Sequence, residues 1–152
     1  MILITGSNLD RRMWDREALW LSRTHTVVRY DLRAHGESDT ATGVFSHLGD
    51  LVGVRDALQI PKATLIGLME NDRLWTVDPA LMKGPLVAAI NRLESVRVPT
   101  LILIGEKDEL QREQAGLLAK RVPRAKLVRV RGGGRLLNLS DSRPGSERRR
   151  YT

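Results

Sequence analysis

The sequence contains no cysteine, only 4% aromatic residues and no apolar run of membrane-spanning length. Without cysteine there is no disulfide framework, no thiolate zinc site and no cysteine nucleophile, which points to a reducing compartment. The longest apolar stretches, residues 64–68 and 100–104, fall far short of the roughly 20 residues that cross a bilayer. No basic segment followed by a long apolar one opens the chain. Together these absences predict a soluble, cytoplasmic protein with no membrane partner.

What is present suits one globular domain: 152 residues, 41% apolar and 28% charged. The net charge of +7 is unevenly placed. Residues 120–152 hold 11 of the 25 basic side chains and only 2 of the 18 acidic ones, so this last fifth carries +9 and the remainder −2. From residue 140 onward, Ser-Asp-Ser-Arg-Pro-Gly-Ser-Glu-Arg-Arg-Arg-Tyr-Thr offers no apolar face to bury, and a disordered tail is expected over 140–152. The run Arg148-Arg149-Arg150 could meet an acidic partner through counterion release. Only Tyr151 accompanies it, so no stacking platform for nucleic acid is present and a solvated tail is the plainer reading.

Periodicity predicts five strands alternating with helices. Residues 1–5 read as a buried strand leaving through Thr5-Gly6-Ser7-Asn8. Residues 11–22 place Trp14, Ala18 and Leu21 on one helical face, before a second strand at 26–30. Phe45, Leu48, Leu51, Val52 and Leu58 trace another helical face that ends at Pro61. A third strand covers 63–68. Gly84-Pro85 with Leu86, Ile90 and Leu93 marks a helix, with proline in its first turn. A fourth strand follows at 100–104, then a helical face of Leu110, Leu117, Leu118 and Val122, then an alternating fifth strand at 125–130. Right-handed crossovers make such a chain an α/β protein with a doubly wound, mainly parallel five-stranded sheet.

Several separate motifs, in order, carry a resemblance. They are Arg29-Tyr30-Asp31-Leu32-Arg33-Ala34-His35-Gly36-Glu37-Ser38-Asp39, then Val98-Pro99-Thr100-Leu101-Ile102-Leu103-Ile104-Gly105-Glu106-Lys107-Asp108, then Val122-Pro123-Arg124-Ala125-Lys126-Leu127 running on to Leu139. In this order they resemble the α/β-hydrolase superfamily, in particular its small-molecule esterases and enol-lactonases, over most of residues 1–139. The resemblance implies a small-molecule ester or lactone as partner, no cofactor and no metal. It also implies a serine on a Gly-x-Ser-x-Gly turn, then an acid, then a histidine.

Asp108 matches the acid position. The other two positions depart from the pattern: the turn after the third strand reads Gly67-Leu68-Met69-Glu70-Asn71, with methionine at the nucleophile position, and the loop after the fifth reads Gly132-Gly133-Gly134-Arg135, with arginine at the base position. Thr5-Gly6 stands where the family has His-Gly, a change its backbone amides could tolerate. Relative to the family the chain starts at the third strand and lacks the region between the nucleophile turn and the end of the lid, sixth strand included. Removing strands 1, 2 and 6 from the family's order leaves 2-1-3-4-5 in this chain's numbering, a reduced α/β-hydrolase core, provided the fourth strand pairs directly with the third. The crossover would run through residues 71–97.

The open-sheet rule puts a ligand crevice at the carboxyl ends of strands one and three, beside Gly6, Ser7, Asn8, Met69 and Asn71. For Asp108 the plainer reading is a loop carboxylate capping the next helix. His35 reads as a support for its turn, and His25 and His47 as surface residues. Ser7 has no base placed near it, and Thr5-Gly6-Ser7-Asn8 is too short to specify a phosphate loop. Glu37, Asp39 and Asp50 lack metal-ligand spacing. The expected function is an α/β-hydrolase-like protein without effective turnover. The alternatives are a non-catalytic binding module using the crevice or the basic tail, or a shortened chain with no function of its own.

Overall fold

The computed structural model describes residues 1–6, 9–68 and 93–138. The chain divides into two compact units, Met1–Val87 and Ala88–Thr152.

In the first unit, β1 (Ile2–Ile4) lies between β2 (Val28–Arg29) and β3 (Leu65–Gly67), both parallel to it. A central strand has neighbours on both edges, and Ile2 and Leu3 are accordingly the most deeply buried large side chains. Asp10 accepts a hydrogen bond from the Arg12 N–H and starts a 3-10 turn (Arg11–Trp14) that runs into α1 (Asp15–Leu21). That turn buries Met13 and Trp14 against Leu3, with Leu9, Ala18, Leu21, Val27, Ile66 and Leu68 packed around them. The predicted Trp14, Ala18 and Leu21 face therefore meets the sheet. The second helix, α2 (His47–Ala57), is opened by Ser46, whose hydroxyl accepts the Gly49 N–H at 3.2 Å.

The helical face predicted for α2 needs correcting. Phe45 is buried, but it packs with Ala41 and Ala34 in a small separate cluster ahead of the helix. Leu48, Val52 and Leu58 are exposed, and α2 buries none of its residues. The aliphatic residues have the right spacing, but α2 makes no extensive contact with any other described helix or strand, and Leu51 is only half-buried.

In the second unit, β4 (Thr100–Gly105) and β5 (Ala125–Val130) pair in parallel over their full length, from Thr100 opposite Ala125 to Gly105 opposite Val130. A 3-10 turn (Leu93–Ser95) precedes them and α3 (Arg112–Arg121) connects them. Ala115 and Val122 are buried, whereas Leu110 and Leu117, expected on the buried face, are exposed. The helix begins only at Arg112, so Leu110 belongs to the loop and the inward face is set by Ala115.

The parallel, doubly wound character and the orders 2-1-3 and 4-5 agree with the sequence reading. The ladders form two sheets, β2-β1-β3 and β4-β5, and none joins β3 to β4 among the described residues. The single sheet in the order 2-1-3-4-5 required that ladder, so the described strands make up two hydrogen-bonded pieces instead. The predicted helix at 85–95 lies outside the described residues apart from its last turn at Leu93–Ser95.

Candidate active site

Parallel sheets present their loops at the carboxyl ends of the strands, and in the second unit two such loops lock together. The loop after β4 carries Glu106, Lys107 and Asp108, and the loop after β5 carries Gly132, Gly133, Gly134 and Arg135. The Lys107 N–H donates to the Gly133 carbonyl at 2.9 Å, and the Gly132 N–H donates to Glu106 Oε2 at 2.8 Å. Gly105 makes this approach possible. A Cβ there would run into the backbone carbonyls of Gly133 and Gly134.

Within this clasp Asp108 is buried. Its Oδ1 accepts the Gln111 N–H at 3.3 Å, at the entry to α3, and lies 3.9 Å from Arg135 Nε. The structure thus brings together Asp108 and Arg135, the two residues that the resemblance would put at the acid and base positions. The group facing the carboxylate is a guanidinium, which stays protonated at any working pH and has no lone pair to accept a proton. Sequence reasoning missed Gln111, which is 4% exposed and has an amide with no hydrogen-bond partner. It also missed Glu106, whose role depends on where Gly132 comes to rest in space.

Of the crevice residues, Gly6 lies two residues past the end of β1 and is buried, as is its neighbour Thr5. Ser7, Asn8, Met69 and Asn71 lie outside the described residues. No group of three or more metal-ligating side chains occurs among the described residues, and no described helix is long and apolar enough to cross a membrane.

The turn that opens the first family motif is built around Asp31. Its buried carboxylate accepts the Arg11 N–H at 2.6 Å and the Glu37 N–H at 3.1 Å, and pairs with the Arg11 guanidinium. Burial alone would raise its pKa, but these donors hold it below the ordinary value of 3.8. Gly36, at φ +53°, packs against the same carboxylate, where a Cβ would collide. His35 Nδ1 is 2.7 Å from the Arg33 carbonyl, in keeping with the turn-supporting role expected of it.

No protein-family model matches the chain. Residues of this chain are 38% identical over 66 positions to 3-oxoadipate enol-lactonase 2 of Acinetobacter baylyi, covering 41% of this chain and 24% of that protein. The chain therefore matches about a quarter of the length of this curated relative. Among solved structures, the enol-lactonase from Burkholderia xenovorans superposes with a TM-score of 0.66 at 18% identity, covering 84% of this chain and 81% of that one. An alpha/beta hydrolase fold protein from Burkholderia ambifaria superposes with a TM-score of 0.65 at 17% identity, covering 90% and 84%. The chain has the α/β-hydrolase fold. The side chain that the fold brings opposite Asp108, Arg135, is a fixed cation and not a proton acceptor.

Proposed function

We propose that this α/β-hydrolase-fold chain is a hydrolytically silent relative of the ester- and lactone-cleaving enzymes, binding a small ester or lactone without turning it over. The observation that carries the reading is the guanidinium of Arg135 facing the Asp108 carboxylate. An acyl-serine route needs a group that takes the nucleophile's proton and returns it to the leaving group. Arginine does neither. The nucleophile position is Met69, whose thioether has no proton to lose. Loss of serine or histidine from a comparable triad costs on the order of 10⁶ in turnover.

On this reading Asp108 is a retained carboxylate that steadies the clasp and the start of α3. The crevice at Gly6, Ser7, Asn8, Met69 and Asn71 is the proposed ligand site, and residues 140–152 are a basic tail after a domain spanning 1–139. The absence of cysteine supports a cytoplasmic setting.

The test pairs a fluorophosphonate probe with a panel of p-nitrophenyl esters and an enol-lactone, on protein shown to be folded by circular dichroism. Neither labelling nor saturable turnover is expected. Stoichiometric labelling would overturn the proposal and direct mapping to Ser7 first.

A further inference from the structure

The helix α2 is held in an unusual way. It buries none of its residues and makes no extensive contact with any other described helix or strand. Its visible attachments gather at its first turn. The Arg33 guanidinium grips the Asp50 carboxylate through Nε and Nη2 at 2.7–3.0 Å and lies over the Phe45 ring, 5.6 Å from its centroid. The His47 ring meets the same Phe45 edge-on, with centroids 5.2 Å apart. Phe45 is in turn anchored in the cluster with Ala41 and Ala34.

Two imidazoles sit in this attachment, and each has a buried nitrogen without a hydrogen-bond partner: Nε2 of His35 and Nδ1 of His47. His35 Nδ1 faces the Arg33 carbonyl, which only accepts, so Nδ1 carries the proton of the neutral ring and Nε2 the lone pair. Doubly protonating the His47 ring leaves an N–H at a buried nitrogen that no acceptor meets, and such a group costs its full desolvation. His47 also lies in the first turn of α2, where the helix dipole opposes positive charge. Its charged and titratable neighbours are Asp50, His35 and Arg33, two of them cationic or able to become so. Tyr30 faces Asp50 and stays neutral, its pKa raised by burial.

We propose that Arg33, Phe45 and His47 form an acid-released latch: with the His47 ring neutral they hold the first turn of α2 against the turn at 31–46, and its protonation frees the helix while both sheets stay folded. The sign follows from burial, the largest influence; Asp50 opposes it, His35 and Arg33 add smaller contributions in the same direction as burial, and His47 is held below the ordinary imidazole value of 6.5. The latch is fully closed above that value and weakens as pH falls below it. A metal site is the poorer account, because the Arg33 guanidinium repels a cation and only two imidazoles meet there.

Hydrogen exchange read by mass spectrometry at pH 7.5 and 5.5, corrected for the chemical rate, tests the latch on the full chain. Exchange across residues 47–58 should rise several-fold at pH 5.5 while β1 and β4 keep their protection. In His47→Phe, which keeps the ring contact and cannot titrate, the acid-induced rise should be lost or strongly reduced. NMR titration of the His47 ring in the unmodified protein gives an independent reading and should place its midpoint below 6.5, in step with the exchange. Equal protection of α2 at both pH values would overturn the proposal. So would simultaneous loss in β1 and β4, a His47→Phe response like that of the unmodified protein, or a ring titrating at or above 6.5.

Discussion

The strand β1 and the helix α2 are built from similar aliphatic material, yet they sit in opposite surroundings. Ile2 and Leu3 are 1% and 0% exposed, whereas Leu48 and Val52 are 57% and 38% exposed. The difference comes from neighbours. β1 is hydrogen-bonded on both edges and roofed by Met13 and Trp14, while α2 is fastened at one end through Arg33, Phe45 and His47. Apolar side chains stabilise a fold only where other atoms close around them, so equal hydropathy yields unequal energy.

That contrast can be put under strain in three ways. The largest effect should come from Leu3→Ala, expected to lower unfolding free energy by about 3 kcal/mol, whereas Leu48→Ala should change it by less than about 0.5 kcal/mol. Urea denaturation of the two variants measures both, and equal losses would erase the distinction between strand and helix. Next comes Ser46→Ala, which removes the hydroxyl that accepts the Gly49 N–H. A cost of about 1 kcal/mol is typical for such a cap. Here it should appear as local loss of α2 helicity, seen by circular dichroism and by faster exchange over 47–58, because the helix has little else to hold it. The smallest effect concerns the 3-10 turn beneath β1. The Asp10 carboxylate, hydrogen-bonded to the Arg12 side chain, has its pKa lowered from 3.8 to about 2. A depressed carboxylate contributes stability above its unfolded pKa and loses that contribution as pH falls. The melting temperature of the unmodified protein should therefore fall slightly more than that of Asp10→Asn between pH 4 and 2.

Much of this was legible in the residues themselves. The runs at 1–5, 63–68, 100–104 and 125–130 marked four strands, because short β-branched and aliphatic stretches bounded by turn residues have few other solutions. The motif around Asp31 and Gly36 marked a tight turn. The inward faces of α2 and α3 were not legible. Leu48, Leu110 and Leu117 have helical spacing and are nonetheless exposed, since spacing predicts which residues can share a face and not whether anything covers that face. Nor could His47 be read correctly. Its position in the sequence reads as surface, whereas its buried Nδ1 and its contact with Phe45 depend on how residues 31–46 fold back.

By itself the sequence determined the order of strands and helices, the likeness to α/β hydrolases and the chemistry possible at each position. An arginine at 135 and a methionine at 69 limit proton transfer whatever the surrounding geometry. The tertiary structure alone decided that Arg135 comes to 3.9 Å from Asp108, that Glu106 clasps Gly132 and that α2 hangs from a cluster of rings. The physical reason is that side-chain chemistry and local periodicity are properties of neighbouring residues, whereas distance, burial and field arise between segments that only folding brings together.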